Sequence, residues 1–248
     1  MKVTVLASGS KGNCTYIEDN DTKILIDLGI STNYVENKLS ELDINPRTID
    51  GILITHIHAD HIAGIKTFCK KYKTKLYVTP KMENELKKDN STYDINYIKK
   101  EMNIKDIEIK VIKNSHDVES YGFIINEKLV YITDTGYLNT KYFEMLYNKD
   151  IYVMESNHDI EMLLHGSYPH YLKQRVWGDK GHLSNKDCSY YLSKLIGSNT
   201  KYIVLAHLSE ENNTKEKDME SLIEHEIDKK ISNIIIAEQK ERTELIEV

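Results

Sequence analysis

The densest chemistry in the sequence is Thr55-His56-Ile57-His58-Ala59-Asp60-His61, which directly follows the apolar run Gly51-Ile52-Leu53-Ile54. Three imidazoles and a carboxylate within six residues make a poor core. Buried polar groups need partners, and crowding them is costly unless something binds them. Imidazole and carboxylate are both ligands of divalent cations. At the end of a strand they stand at a sheet edge, where a loop can gather the side chains. His56 and His58 alternate with Ile57 and are expected to leave the strand on one face. Asp60 and His61 lie past the turn and are expected to point elsewhere. One short segment can therefore feed two adjacent metal positions. The plainer alternative, a polar turn of internally bonded histidines, fits this spacing poorly.

Other candidates are more isolated. His182 sits in Gly181-His182-Leu183-Ser184-Asn185, ahead of a helix that Ser184 or Asn185 would cap. A His near a helix N-terminus could hydrogen-bond a phosphate or protonate a leaving oxygen, or it could simply serve the cap. His158 and Asp159 either begin a helix, with Asp159 as cap, or line the site; Ser184 is a further candidate for a substrate contact. Ser8-Gly9-Ser10-Lys11-Gly12-Asn13 lacks the spacing of a nucleotide-binding P-loop. It reads either as a hairpin turn or as a turn bringing backbone N–H groups and Asn13 to a substrate. The run Tyr168-Pro169-His170-Tyr171-Leu172-Lys173-Gln174-Arg175-Val176-Trp177 mixes aromatics with cations. That mixture suits a nucleic-acid strand, whose bases stack while its phosphates attract cations, but it also suits packing or a dimer contact.

The elements that must position these groups alternate along the chain. Strands are expected at residues 3–7, 14–18, 23–27, 51–55, 75–78, 107–113, 122–126, 129–133, 151–154, 202–206, 234–237 and 243–247. Helices are expected at 32–42 with Ser31 as cap, 61–72, 140–147, 160–176, 185–196 and 215–230. The Lys/Asn/Asp-rich stretch 81–106 gives no clear pattern, and substrate selection is a role it could have. Strands come singly, in hairpins and in strand–helix units, which implies two sheets with helices outside them.

Composition sets the outer bounds. The chain has 248 residues, ten His and a net charge of −6. That length can bury a sizeable core. Few Pro and Gly argue against disorder. The acidic balance argues against a nucleic-acid coat protein or a basic membrane-surface module. It leaves a phosphate substrate open, because bound metal adds positive charge that the formula does not count. The apolar start is too short for a signal segment, and no run reaches about 18 apolar residues, so no membrane association is expected. The three Cys are scattered and read as small buried hydrophobes in a cytoplasmic protein.

His-x-His-x-Asp-His after an apolar strand resembles the signature of the metallo-β-lactamase fold, an αβ/βα four-layer sandwich with a dinuclear site between sheet edges. The resemblance implies one such domain over residues 1–248. It also implies a later His, Asp and His, each at a strand end. His116, Asp134 and His207 stand in those places and in that order. Further blocks resemble the YycJ (WalJ) subfamily: Leu6-Ala7-Ser8-Gly9-Ser10-Lys11-Gly12-Asn13, Asp134-Thr135-Gly136, Glu155-Ser156-Asn157-His158-Asp159, Gly178-Asp179-Lys180-Gly181-His182-Leu183-Ser184-Asn185 and His207-Leu208-Ser209-Glu210-Glu211-Asn212-Asn213. Ala59 departs from the Ser common in that motif, at a non-ligand position.

The resemblance implies His56, His58 and His116 on one metal, Asp60, His61 and His207 on the other, and Asp134 bridging. The ions implied are Zn²⁺ or Mn²⁺. A bridging water of lowered pKa would attack the phosphodiester, with Asp60 orienting it. Similarity to ribonuclease Z implies that His182 protonates the leaving oxygen, supported by Glu155. The implied activity is 5′ exonuclease action on DNA. Phage anti-Pycsar relatives offer a second expectation, hydrolysis of cyclic nucleotides. A homodimer is expected as well, since relatives of this fold often pair.

Overall fold

Among the described residues, twelve of the fourteen strands and the nine α-helices come in the chain order β1 (Lys2–Ala7), β2 (Cys14–Asp19), β3 (Thr22–Ile26), α1 (Thr32–Ser40), β4 (Gly51–Leu53), α2 (Ala59–Ile62), α3 (Ile65–Tyr72), β5 (Lys75–Val78), α4 (Pro80–Leu86), β6 (Ile95–Tyr97), β7 (Glu101–Ile104), β8 (Ile107–Lys113), β9 (Tyr121–Ile125), β10 (Leu129–Ile132), α5 (Phe143–Leu146), β11 (Ile151–Glu155), α6 (Ile160–His165), α7 (His170–Trp177), α8 (Asn185–Leu195), β12 (Tyr202–Ala206) and α9 (Lys215–Glu224). The last two strands, β13 (Asn233–Ile236) and β14 (Ile246–Glu247), follow. This computed structural model describes residues 1–89 and 91–248; Asn90, within the 81–106 stretch, lies outside the described residues. Two units divide the chain: Met1–Ile109 with Glu238–Val248, and Lys110–Ala237.

In the first unit the sheet order is β14-β1-β2-β3-β4-β5-β6. β14, β1, β2 and β3 pair antiparallel, and β3 to β6 pair parallel. Its strands are near-continuous buried runs such as Ile24, Leu25 and Ile26, as expected of strands covered on both faces. Ile26 pairs with Leu53, which sets the carboxyl ends of β3 and β4 side by side. The loop after β3 then passes hard against the residues after β4. A Cβ on Gly29 would stand 1.6 Å from the carbonyl oxygen of Asp60, so no side chain fits there.

The second sheet has the order β13-β12-β11-β10-β9-β8-β7. β10 to β13 are parallel, and β9 joins antiparallel. In the second unit, Ile132, Tyr152, Met154, Ile203 and Leu205 from the strands pack with Cys188, Leu192 and Leu195 of α8 and Leu222 of α9. Burying each large aliphatic side chain stabilises the fold by about 1.5–3 kcal/mol. Ile132 pairs with Met154, and Glu155 with Ala206, so the ends of β10, β11 and β12 are level.

Several expected elements differ in extent. The helix expected at 61–72 is two, α2 and α3, broken at Gly64, whose N–H donates to the Leu28 carbonyl and where a Cβ would meet the Ile30 carbonyl oxygen at 2.1 Å. The helix expected at 160–176 is also two. Gly166 ends α6 and Pro169 precedes α7, and proline disfavours helical geometry in the residue before it. The helix expected at 215–230 stops at Glu224, with Glu226 in the left-handed region (φ 56°). Of 140–147 only Phe143–Leu146 is α-helical, after a 3-10 turn. Of 243–247 only Ile246–Glu247 is strand, because Thr243 spends its hydroxyl on the Val5 N–H. The 81–106 stretch holds all of α4 but its first residue, and strands β6 and β7.

Candidate functional site

In the first unit the site is built on the ends of β3 and β4. The chain leaves β3 at Asp27, which is fully buried and in the left-handed region (φ 58°). Its carboxylate accepts the Thr55 N–H and hydroxyl, each at 2.8 Å, and faces His61 Nδ1 at 2.7 Å. A carboxylate on Nδ1 places the imidazole proton there and directs Nε2 outward. His61 Nε2 lies 3.4 Å from Asp60 Oδ2 and 3.0 Å from Asn13 Nδ2. His56 Nδ1 is 3.0 Å from the Thr55 hydroxyl, and His56 Nε2 is 3.1 Å from His58 Nδ1. Two donors on one tetrahedral ion with bonds of about 2.1 Å stand about 3.4 Å apart, close to that separation. β4 ends at Leu53, so loop geometry rather than strand alternation pairs His56 with His58. The His61 ring lies 4.0 Å from that of His56, tilted by 48° to it.

In the second unit the site lies at the level carboxyl ends of three parallel strands, where open α/β sheets hold ligands. Asp134 follows β10, Glu155 ends β11 and His207 follows β12. Asp134 (φ 55°) and His207 (φ 59°) both take the left-handed conformation, which is uncommon for residues other than glycine. Together with His182 they offer ligand atoms all within 4.8 Å of one another. Glu155 is fully buried and fully engaged. Its Oε1 lies 2.7 Å from His182 Nδ1 and 3.0 Å from His207 Nδ1, and its Oε2 accepts the N–H groups of Thr135 and Leu183. Burial alone would raise its pKa. The charge of His182 and the bonds from both imidazoles outweigh this and hold the carboxyl below the usual range. Glu155 therefore orients two imidazoles, turning each Nε2 away from itself. His116 Nδ1 donates to the Gly181 carbonyl at 3.1 Å, and burial lowers its pKa, favouring the neutral form that binds metal.

The three residues expected at the substrate lie inside the protein. Asn13 is buried in a hairpin turn, where its carboxamide accepts the Gly9 N–H and donates toward Asp60. Ser184 caps α8 by accepting the Asp187 N–H. His158 is completely buried, with no hydrogen-bond partner among the described residues on either ring nitrogen, and burial pulls its pKa down to about 4. Asp159 is the cap of α6, accepting the Met162 N–H. Sequence reasoning missed Asp27; the signal was a carboxylate closing the apolar strand Thr22–Ile26.

Comparison with known proteins places this geometry. The model of the metallo-beta-lactamase superfamily matches residues 7–207. The exodeoxyribonuclease WalJ of Streptococcus pneumoniae is 41% identical over 226 residues, covering 87% of this chain and 84% of its own. The exodeoxyribonuclease YycJ of Bacillus anthracis is 37% identical over 86% of this chain and 84% of its own. The anti-Pycsar protein Apyc1 of Paenibacillus xerothermodurans is 35% identical over 33% of this chain and 34% of its own. Among solved structures, the metallo-beta-lactamase fold protein YhfI from Bacillus subtilis superposes with a TM-score of 0.72 at 15% identity, covering 98% of each chain. The chain thus belongs to the metallo-beta-lactamase superfamily of hydrolases, in the branch that holds WalJ and YycJ.

Proposed function

We propose that this hydrolase is a phosphodiesterase dependent on two divalent cations, Zn²⁺ or Mn²⁺, and that it acts as a 5′ exonuclease on DNA. The observation that carries the reading is the extent of the similarity: WalJ matches 87% of the chain, against 33% for Apyc1. On this reading residues 1–248 work as one domain. His56, His58 and His116 would hold one cation and Asp60, His61 and His207 the other, with Asp134 contributing to both. Every donor in this set is an imidazole nitrogen or a carboxylate oxygen, which suits either ion. The anchoring of His61 by Asp27, and of His116 by a carbonyl, is the outer support that metal-binding imidazoles take.

Bound cations supply stabilisation of charge on the phosphoryl oxygens and acidify the attacking water. The protein's own groups do the rest. Asp60, on the first turn of α2, orients the nucleophile. His182, held at Nδ1 by Glu155, presents Nε2 to the leaving oxygen; in its doubly protonated form it gives the Nε2 proton to that oxygen and is left as the neutral imidazole. Cys14, Cys69 and Cys188 are buried thiols, which agrees with a reducing cytoplasm. Among the described residues no helix is long and apolar enough to cross a membrane.

A second reading, hydrolysis of cyclic mononucleotides, is favoured by the net charge of −6, since duplex binding usually uses a basic track. One preparation, shown by mass spectrometry to carry two Mn²⁺ or Zn²⁺ per chain, tests both. It is expected to shorten end-labelled DNA from the 5′ end and leave cyclic mononucleotides intact. The reverse outcome establishes the second reading, and a metal-free chain that no cation activates overturns both.

A further inference from the structure

α7 is a helix with no buried residue, and it carries the chain's single tryptophan. Trp177 is 50% exposed, and Leu164 at the end of α6 is 39% exposed. Both line one hollow of about 580 Å³ with His170, Lys173, Gln174 and Gly178. That volume falls within the range of small-ligand sites, about 300–1,000 Å³. Lys173 Nζ donates to the Leu164 carbonyl at 2.7 Å, which ties α6 to α7 and fixes a cation at the rim. An apolar wall with an aromatic ring, an amide and a cation at its edge is the composition of a base-stacking site.

Two further observations select the occupant. The first is charge. Residues 168–182 hold Lys173, Arg175 and Lys180 against Asp179, and Arg175 is paired with Asp117 at 2.7 Å, so Lys173 and Lys180 carry the local surplus in a chain whose total is −6. The second is continuity. The His182 N–H donates to the Val176 carbonyl at 2.9 Å, and the Gly178 N–H to the Gln174 carbonyl at 3.0 Å. The end of α7 is therefore tied to the backbone that carries His182. The hollow and His182 are thus borne on adjoining backbone.

We propose that the hollow between α6 and α7 seats an unpaired nucleobase of the DNA strand. The base stacks on Trp177, the Gln174 amide meets its polar edge, and Lys173 faces a neighbouring phosphate. This rests on the nuclease reading of the same site, and it makes α7 the strand guide for it. A single-stranded end is thereby the form of DNA that the enzyme engages.

The single tryptophan makes the test direct, because indole emission reports Trp177 alone. A short oligothymidylate is titrated into the wild-type protein in EDTA, where no cleavage occurs, and indole emission is followed. Saturable quenching is expected. Anisotropy of a labelled oligothymidylate then measures affinity in variants. Loss of one stacked base costs roughly tenfold in affinity, so Trp177→Ala is expected to bind about tenfold more weakly, while Trp177→Phe stays close to wild type. Tyr147→Ala, which removes an exposed ring elsewhere, serves as the control and is expected to bind as wild type. Absence of quenching, or wild-type affinity in Trp177→Ala, overturns the inference. If the metal-loaded enzyme still shortens DNA in that case, the nuclease reading stands without it. A dimer in sedimentation that Trp177→Ala dissolves, with oligothymidylate affinity unchanged, also overturns it and gives this face to a second copy. Cleavage of cyclic mononucleotides alone overturns the nuclease reading instead.

Discussion

Asp27→Asn is the sharpest probe of the site. Asp27 accepts from the Thr55 N–H at 2.8 Å and the Thr55 hydroxyl at 2.8 Å, and it faces His61 Nδ1 at 2.7 Å. Asparagine keeps the shape but replaces one acceptor oxygen by an NH₂ donor. If its oxygen stays on the Thr55 N–H, the NH₂ confronts the His61 Nδ1 proton. Thr55 can rotate its hydroxyl to accept. His61 can accept only by moving its proton to Nε2, the nitrogen assigned to the metal. Loss of such an outer partner typically costs about 10–100-fold in metal affinity, or about 1.4–2.8 kcal/mol. Chelator competition with Zn²⁺ and Mn²⁺ measures this, and a melt in EDTA separates it from any change in the metal-free fold. Asp27→Ala leaves several buried donors without an acceptor, at about 1–3 kcal/mol each, and is expected to lower metal-free stability as well. Metal affinity unchanged in Asp27→Asn refutes both the tautomer argument and the assignment of His61 as a ligand.

Three other outcomes are expected. His182→Ala lowers turnover by about 10²–10⁴-fold with metal content intact; loss of metal instead places His182 among the ligands. Asp218 is buried, and burial pushes its pKa up to about 7, against the hydrogen bonds from Ser156 and Asn213. The folded protein therefore holds this proton more tightly than the unfolded chain, whose carboxyl titrates near 3.9. Stability from this group falls as pH rises from about 4 to about 7, by a few kcal/mol in all, and urea unfolding of Asp218→Asn at both ends is expected to show that slope flattened. Leu192→Ala empties part of the α8 contact with the second sheet and is expected to cost about 2–5 kcal/mol, read as a lowered midpoint in denaturant.

The proposed ligands are legible in the sequence because they are concentrated where apolar strands end. His56, His58, Asp60 and His61 share one loop, and Asp134 and His207 each follow a four- or five-residue apolar run. Polar residues in such places stand out against their neighbours. Asp27 did not, since a lone carboxylate after a strand also reads as an ordinary turn residue. Its role comes from the register of β3 on β4, which joins residues 28 apart in sequence and leaves no local pattern. The break at Gly64 was likewise decided by close backbone approach, which periodicity does not register, while the one at Gly166–Pro169 was carried by the glycine and proline themselves. Substrate contacts at Asn13, Ser184 and His158 were one of two readings of residue type and place in the chain, and neither registers the burial each of them has.

The edge of the first sheet bears on how the protein is made. β1 is flanked by β14, and the Thr4 hydroxyl donates to the Thr243 carbonyl at 2.9 Å, a bond between residues 239 apart. During synthesis β1 emerges long before its neighbour β14, because the residues that join them stand 239 apart in the chain. Until then that side of the strand presents unpaired N–H and C=O groups, the kind of edge on which chains add to one another. The second unit, whose residues run unbroken from Lys110 to Ala237, can form before the first sheet gains its last strand. Truncations that remove residues 243–248 should therefore expose the nascent edge permanently and show as aggregation during expression, ahead of any defect in the metal site.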